Sequence, residues 1–480
     1  MTEFWERFAF YGMRWALTLY IVQQFFANDP SGQGYASRTY GAYLALVYAT
    51  AIFGGYVADR MIGYQRSILL GALITVAGLF TITVPNQELF LLGLALVIVG
   101  NGLFKPNIST MVGKLYGADD PRRDRGFTIF YMGINAGALV APLITGWLAS
   151  EITDTPMVDN YKVVFFTTAI GMIISFFWFW FGRRQLGEVG RPPADKKQGT
   201  QMAIVLIGAA VAVPIVYPLL SRVGAEPLQW VLSGLFVLLA IMVIAEALKE
   251  GKVQRDKAIA MLLLFAFNIL FWMFFEQAGS SFNFLAQNIV DRDFGGWEFP
   301  VGWFQSVNPA GIVLLAPIIT VIWAMLASMK AEPSVPRKFG LGLMGNALGF
   351  GVLMYALSNL VTTGTGPDGS AVQQIPFWPL VLCYVLQTLG ELCLSPIGLS
   401  MVTKLAPLKF VGLAMGGWFL STAIGNNLSG IFAGHVSGET GMTVASALEG
   451  FTSSFWVLLG TGVFLFLIAP LINKLMHGVK

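Results

Sequence analysis

Apolar residues run through this chain in fourteen long segments that are separated by short polar connections. Crossing a bilayer core of roughly 30 Å takes about 20 apolar residues, and each segment is about that long. A strand of a membrane barrel would alternate polar and apolar positions over about ten residues, so these continuous runs predict helices. The predicted spans are 4–27, 36–58, 66–85, 88–113, 127–149, 162–182, 201–220, 227–248, 258–288, 303–329, 339–361, 377–403, 410–434 and 450–473.

Two connections, 183–200 and 249–257, carry the densest runs of charge and flank the seventh and eighth spans. This spacing predicts two six-helix halves with a helix pair between them, as in transporters built from repeated halves. The simpler interpretation of the pair is lipid-facing packing with no role in the chemistry. The predicted domains are an N-terminal half over 1–182, a two-helix insert with charged linkers over 183–257 and a C-terminal half over 258–480.

Composition supports a membrane protein and excludes several other classes. Of the 480 residues, 56% are hydrophobic and only 11% are charged, whereas globular domains carry about 25% charged residues. A disordered chain, a secreted disulfide scaffold and an ordinary cytosolic enzyme are therefore excluded. The net charge of +3 is too small to indicate nucleic-acid binding, and two cysteines provide no metal or disulfide framework. We expect no cofactor, no metal and no enzymatic activity.

The basic residues predict the orientation of the spans. With the N-terminus inside, 22 of the 29 Lys and Arg residues fall on the inner side, four outside and three within spans. Acidic residues divide evenly, with 10 inside, 12 outside and four within spans. An uneven basic count beside an even acidic count is typical of the positive-inside rule. We therefore predict that both termini lie in the cytoplasm.

Seven ionisable residues stand out within or at the edge of the predicted spans, and at mid-bilayer each costs roughly 2.5–3.5 kcal/mol on insertion scales. They are Glu3, Glu6, Arg7, Arg14, Lys105, Glu276 and Glu391. The first four share one face of the first span, within an arc of about 100°. Snorkelling at the cytosolic interface would explain Glu3, Glu6 and Arg7, but it explains Arg14 poorly. The charges in such a cluster must be paired or reach a wet cavity.

Lys105, Glu276 and Glu391 each lie about ten residues from a span end, which is too far for comfortable snorkelling. They could be structural ion pairs that hold helices together. Because four acids face three bases, however, one carboxylate has no fixed partner, and a proton or a substrate ammonium could neutralise it. A zwitterion would then be held by its carboxylate at Arg14 or Lys105 and by its amine at Glu391. Polar and aromatic residues inside spans could line this cavity, although each is more often a packing contact: Tyr11, Tyr48, Tyr131, Asn135, Asn308, Trp418 and Phe419.

Three sequence motifs relate this chain to a known family. Glu3-Phe4-Trp5-Glu6-Arg7 matches an ExxER motif, and GGYVADRMIGYQR is similar to the GxxxD[R/K]xxGxR loop of the major facilitator superfamily. FTIFYMGINAGALVAP looks like a specific FYxxINxG signature. The chain resembles the bacterial proton-dependent oligopeptide transporters (the POT or PTR family). The resemblance implies an all-α polytopic membrane protein of the major facilitator fold with 14 transmembrane helices (6 + 2 + 6).

The resemblance also implies a function and its residues: import of di- and tripeptides with protons by alternating access. Arg14 and Lys105 would bind the peptide carboxylate, and Glu391 with Asn135 and Asn308 the amino terminus. The full implied binding set is Tyr11, Arg14, Tyr48, Lys105, Tyr131, Asn135, Asn308, Glu391, Ser395, Trp418 and Phe419. The implied proton-coupling residues are Glu3, Glu6, Arg7 and Glu276. The implied gate pairs are Arg14 with Glu276 and Lys105 with Glu391, and the implied conformational loop contains Asp59 and Arg60.

Alternatives remain at the level of sequence. Mammalian relatives use a histidine on the second helix that this chain lacks, so coupling here must run through carboxylates. The scaffold could carry another small solute, such as nitrate, a drug or an amino acid, although nitrate needs no amine-binding Glu391. A membrane sensor that binds a peptide without moving it is the alternative from a different class. The expected partners are peptides, protons and membrane lipid, without nucleic acid, and we expect a functional monomer.

Overall fold

The computed structural model of the chain describes residues 1–116, 120, 122–155, 158–192, 197–365 and 371–479. Helices account for nearly all of the described elements. The first eight are α1 (Thr2–Phe25), α2 (Gly32–Val57), α3 (Tyr64–Ile82), α4 (Gln87–Lys114), α5 (Arg122–Glu151), α6 (Tyr161–Gly182), α7 (Gln198–Pro218) and α8 (Ala225–Glu250). The remainder are α9 (Lys252–Phe275), α10 (Ser281–Asn288), α11 (Val307–Ser328), α12 (Val335–Ser358), α13 (Phe377–Leu405), α14 (Val411–Ser437) and α15 (Val444–Leu475).

The long helices follow the predicted spans to within a few residues at most ends. Within the described residues, twelve helical segments are long and apolar enough to cross a membrane. The other two predicted spans correspond to α1, which carries the charged face, and α14, with 24 and 27 residues. The prediction of an all-α polytopic protein with fourteen long helical spans is therefore confirmed.

The ninth predicted span, 258–288, is not one continuous helix. α9 ends at Phe275, a 3₁₀ turn covers Glu276–Gly279, and α10 begins at Ser281. A Cβ atom at Gly279 would overlap the ring of Tyr40, so the backbone lies against that ring at the break. Hydropathy alone does not register such a change of helical pitch. The break places Glu276 at the end of α9 rather than in the middle of a regular helix.

Two short antiparallel hairpins occupy connections that were predicted to lie outside. β1 (Thr153–Thr155) pairs with β2 (Val158–Asp159) between α5 and α6. β3 (Val361–Thr365) pairs with β4 (Ala371–Gln374) between α12 and α13, with Val361 opposite Gln374. These hairpins close polar connections and contain none of the predicted site residues.

The helices form two compact units. The first unit comprises Met1–Ala27 and Ala42–Ala225, and the second comprises Asn28–Gly41 and Glu226–Lys480. In the first unit α1 packs against α5 and α6, and α3 packs against α4 and α6. In the second unit α12 packs against α13 and α15, and α9 packs against α14. α7 belongs to the first unit and nearly all of α8 to the second, so the separate insert over 183–257 stays a prediction.

A glycine allows α5 to approach the charged face of α1. A Cβ atom at Gly137 would meet the carbonyl oxygen of Phe4 and would lie 3.1 Å from the Cβ of Arg7. Gly137 is the glycine of the FYxxINxG signature. Farther along α1, Nε1 of Trp15 donates to Oγ1 of Thr145 on α5 at 2.9 Å. The signature glycine thus fixes how deeply α1 is buried, and with it the environment of Arg7.

Candidate functional site

Two acids and one arginine of α1 form a buried ion cluster. The guanidinium of Arg7 donates from Nε to Oε2 of Glu6 at 2.5 Å and from Nη2 to Oε1 at 2.6 Å. Nε of Arg7 also lies 3.3 Å from Oε1 of Glu3. Nδ2 of Asn101 on α4 donates to Oε1 of Glu6 at 3.0 Å. All three charged side chains are at least nine-tenths buried, and two carboxylates around one guanidinium leave one negative charge in the cluster.

One carboxylate oxygen in this cluster is in an unusual position. Oε2 of Glu3 is buried and, within the described part of the chain, accepts no hydrogen bond. A buried anionic oxygen without a donor is costly, whereas a protonated carboxyl needs only one acceptor. A single proton on Oε2 of Glu3 would therefore neutralise the surplus negative charge of the cluster and would bind to the oxygen that has no hydrogen-bond donor among the described residues.

Lys105 and Arg14 lie in the same unit and face aromatic rings. Nζ of Lys105 is 4.1 Å from the centre of the Tyr48 ring and 5.8 Å from that of Phe10. The guanidinium carbon of Arg14 is 5.7 Å from the centre of the Tyr11 ring. Cations within about 6 Å of a ring face are attracted by its quadrupole. Four predicted binding residues, Tyr11, Arg14, Tyr48 and Lys105, thus form two cation–aromatic pairs.

Two further predicted residues lie on α5. Nδ2 of Asn135 donates to the backbone oxygen of Tyr131 at 2.9 Å, within its own helix. Asn135 is buried, whereas Tyr131 is 47% exposed. The NH₂ group of Asn135 is therefore engaged within its own helix, and its amide oxygen is the atom that can accept from an ammonium.

The predicted conformational loop, which contains Asp59 and Arg60, follows α2 as a π-helical turn over Ala58–Ile62. Asp59 accepts a hydrogen bond from the hydroxyl of Tyr64, and Nζ of Lys114 lies 4.5 Å from the centre of the Tyr64 ring. Arg60 is exposed. The linker after α6 also contacts this region, because Nε2 of Gln65 donates to the backbone oxygen of Val189 at 2.8 Å.

In the second unit, Glu391 is part of a hydrogen-bonded group with α11. Nδ2 of Asn308 donates to Oε2 of Glu391 at 2.9 Å and to Oγ1 of Thr388 at 2.9 Å. Glu391 and Asn308 are each half-buried. The arrangement positions an anionic acceptor that suits an ammonium group, because ammonium supplies three donors.

Glu276, the other predicted site acid of this unit, is 4% exposed. The hydroxyl of Tyr40 donates to its Oε2 at 3.5 Å, which is a long hydrogen bond. Arg14 and Lys105 belong to the first unit, while Glu276 and Glu391 belong to the second. The gate pairs Arg14–Glu276 and Lys105–Glu391 each join different units and stay a prediction.

The last three predicted residues differ in exposure. Trp418 is 4% exposed and packs edge-on against Phe265, with ring centres 5.8 Å apart. Phe419, the next residue, is half-buried. Oγ of Ser395 is buried and forms no hydrogen bond with any described residue. Trp418 thus packs in the core of its unit, and its role in a side-chain pocket stays a prediction.

Sequence reasoning missed three residues that contact predicted site residues: Asn101 contacts Glu6, Thr388 contacts Asn308 and Tyr40 contacts Glu276. Asn101 precedes Lys105 by four positions and Thr388 precedes Glu391 by three, so both share a helix face with a predicted residue. That spacing was the available signal. Tyr40 gave none, because it lies 236 residues from its partner Glu276.

The fold and the buried charges define a polytopic membrane transporter of the major facilitator type. A sequence profile of the POT family matches residues 65–444. The chain belongs to the POT family.

Relatives along the whole chain agree with this assignment. The peptide transporter YePEPT of Yersinia enterocolitica is 35% identical over 100% of this chain and 94% of its own length. A di-/tripeptide transporter of Lactococcus lactis subsp. cremoris is 36% identical over 100% of this chain and 95% of its own. The crystal structure of peptide transporter POT in complex with sulfate superposes with a TM-score of 0.83 at 32% identity, over 99% of this chain and 94% of that one. A mutant of that transporter was solved in complex with alafosfalin.

Proposed function

We propose that this chain is a proton-coupled symporter that imports di- and tripeptides by alternating access. Membership of the POT family and full-length similarity to peptide transporters of two bacteria support this function. The ExxER and FYxxINxG motifs of the chain imply the same substrate class.

The buried cluster of Glu3, Glu6 and Arg7 is the observation that supports proton coupling. Two carboxylates face one guanidinium there, and one oxygen of Glu3 accepts no hydrogen bond from the described residues. A proton on this cluster removes its surplus charge. We assign proton coupling to these residues and to Glu276, whose carboxylate is also buried.

Two groups of residues with opposite charge bind the two ends of the peptide. Arg14 and Lys105 hold the peptide carboxylate, because each is a cation that lies against an aromatic ring of the proposed binding set, Tyr11 and Tyr48 respectively. Glu391, oriented by Asn308, accepts the ammonium of the peptide. Tyr11, Tyr48, Tyr131, Asn135, Ser395, Trp418 and Phe419 complete the proposed binding set. The transport step is a shift between conformations that differ in affinity for peptide and proton, and it involves no covalent chemistry.

The cellular setting is also proposed. The chain is a membrane transporter with many apolar helices. We place it in the bacterial inner membrane with both termini in the cytoplasm, since 22 of its 29 basic residues then lie inside. We also propose that it functions as a monomer.

The test is uptake of dialanine by proteoliposomes under an imposed inward proton gradient. We expect accumulation above the equilibrium level for the natural chain and loss of accumulation for Lys105→Ala. Lys252→Ala is the matched control, because this exposed lysine at the start of α9 lies outside the proposed site. The control should transport normally.

Two outcomes contradict the proposal. The first is equal dialanine uptake with and without the gradient, which would point to a sensor or a facilitator. The second is full accumulation by Lys105→Ala. Gradient-driven uptake of nitrate but not of dialanine would instead support the other small-solute function.

A further inference from the structure

A large cavity lies within the second unit, and none of its lining residues belongs to the proposed binding set. It has a volume of about 880 Å³ and is bounded by the end of α11, the start of α12, the second half of α13 and the end of α15. Cavities that hold small molecules or head groups measure about 300–1,000 Å³. The cavity is therefore large enough for a polar head group.

The charge in this cavity is mainly positive. Lys330, Lys338 and Lys404 line it, and Glu332 is the one acid among its lining residues that the structure describes. Lys338 is 8% exposed and pairs with Glu332, and its Nζ lies 4.9 Å from the centre of the Trp323 ring. Lys330 and Lys404 are exposed at the rim. Three lysines against one glutamate give the described lining a net charge of +2.

Lys330 occupies a backbone position that usually belongs to glycine. Its φ is 55°, and it ends α11 with two bonds: its own N–H donates to Ala327 at 3.0 Å, and the N–H of Ala331 donates to Leu326 at 2.8 Å. Helices that end this way commonly have glycine at this position, because a Cβ atom is unfavourable there. A lysine held in this conformation costs folding energy, and its side chain lines the cavity. Such strain is characteristic of functional positions.

The cavity lies on a different face of α13 from the proposed peptide site. Ser400 and Lys404 line it, and they follow Glu391 by nine and thirteen residues. At 100° per residue they are turned about 180° and about 220° around the helix axis from Glu391. The two sites therefore use opposite sides of one helix.

An apolar stripe on α11 leads to the mouth of the cavity. Leu314, Ile318, Val321, Met325 and Met329 are each more than half exposed and recur every three or four residues. In a membrane-spanning helix this stripe faces acyl chains. It ends one residue before Lys330, so a molecule with acyl chains on the stripe would have its head group at the lysines.

We propose that this cavity binds the head group of an anionic phospholipid. A phosphodiester matches the positive charge, and the serine hydroxyls of Ser334 and Ser400 at the cavity wall can donate to its oxygens. Basic pockets between helices on the cytoplasmic side are known to hold anionic head groups. The proposal rests on the proposed orientation, which places these span ends at the cytoplasmic surface, but it does not depend on what the protein transports.

The test compares thermal unfolding of the detergent-solubilised full chain with added phosphatidylglycerol, phosphatidylcholine or inorganic phosphate. We expect phosphatidylglycerol alone to raise the Tm. Lys404→Ala should weaken its apparent affinity about fivefold, because a basic residue near the surface contributes about that factor to anionic lipid binding. Lys252→Ala, which removes an exposed lysine at the start of α9, is the control and should keep the full affinity.

Lys330→Gly separates lipid binding from folding. Glycine fits the left-handed position, so the lipid-free Tm should rise while the phosphatidylglycerol-dependent shift falls. The proposal is overturned if Lys330→Gly and Lys404→Ala both keep the full shift. It is also overturned if inorganic phosphate reproduces the shift, because the site would then bind a soluble anion, or if phosphatidylcholine does so. The readout is independent of transport, so a failure of dialanine uptake leaves it interpretable.

Discussion

At the scale of single residues, Arg7 holds two carboxylates that repel each other. It donates two hydrogen bonds to Glu6 and lies 3.3 Å from Glu3. Removing one partner of a buried ion pair typically costs about 3–5 kcal/mol, because the remaining charge stays buried without compensation. Neutralising that remaining charge as well should recover part of the loss. This cluster therefore allows a clean double-mutant test.

We predict that Arg7→Met lowers the free energy of unfolding by about 3 kcal/mol. The double variant Arg7→Met with Glu6→Gln should recover at least about 1 kcal/mol of it, because one buried charge is then gone. Denaturant unfolding in detergent measures both values. Additive losses in the double variant would show that Arg7 and Glu6 do not act as a pair.

Glu391 offers a test of how the amino terminus of a peptide is recognised. Glu391→Gln keeps the shape of the side chain but removes the charge that would face an ammonium. Losing one partner of such a pair costs about 2 kcal/mol, which is roughly a thirtyfold weaker affinity. We predict this loss for dialanine and a much smaller one for N-acetyl-dialanine, which has no ammonium. Competition against a labelled dipeptide measures both affinities.

The control for this prediction is Thr388→Val, which removes an acceptor of Asn308 but leaves the carboxylate in place. Its effect should be smaller than that of Glu391→Gln and similar for the two peptides. An equal loss of both peptides in Glu391→Gln would mean that the carboxylate does not bind the amino terminus.

At the scale of elements, the packing of α1 against α5 depends on one glycine of the family signature. A Cβ atom at Gly137 would meet the backbone of Phe4, whereas one at Gly133 would meet nothing within 4 Å. Overpacking of this kind costs about 1–3 kcal/mol. Alanine in place of glycine at an open helix position instead gains about 0.5–1 kcal/mol.

We predict that Gly137→Ala lowers the Tm and impairs proton-driven uptake, because α1 and Arg7 are displaced. Gly133→Ala, one helical turn earlier on α5, should keep uptake and raise the Tm slightly. Thermal unfolding and uptake assays on the two variants provide the comparison. Equal effects of the two substitutions would show that close approach at Gly137 is not what the signature requires.

At the scale of the whole molecule, the sequence predicted the helices better than their interruptions. The predicted span 88–113 corresponds to α4, Gln87–Lys114. The prediction succeeds because a long apolar run in a membrane has few alternatives to a helix. The break before α10 could not be predicted, since it depends on Tyr40 packing against Gly279, far away in the chain. Buried charges were identified by their cost in lipid, but their partners were not: only its four-residue spacing from Lys105 distinguishes Asn101 from other polar residues inside spans.

The orientation of the molecule can be tested with cysteine labelling. Asp293 and Glu188 are both exposed, and the basic-residue count places Asp293 outside and Glu188 in the cytoplasm. We predict that an impermeant maleimide labels Asp293→Cys in intact cells, and Glu188→Cys only after permeabilisation. The natural chain is the control, because both of its cysteines, Cys383 and Cys393, are buried and should react slowly. The opposite labelling pattern would reverse the topology and place the lysine cavity at the outer surface, where the positive-inside rule no longer accounts for its charge.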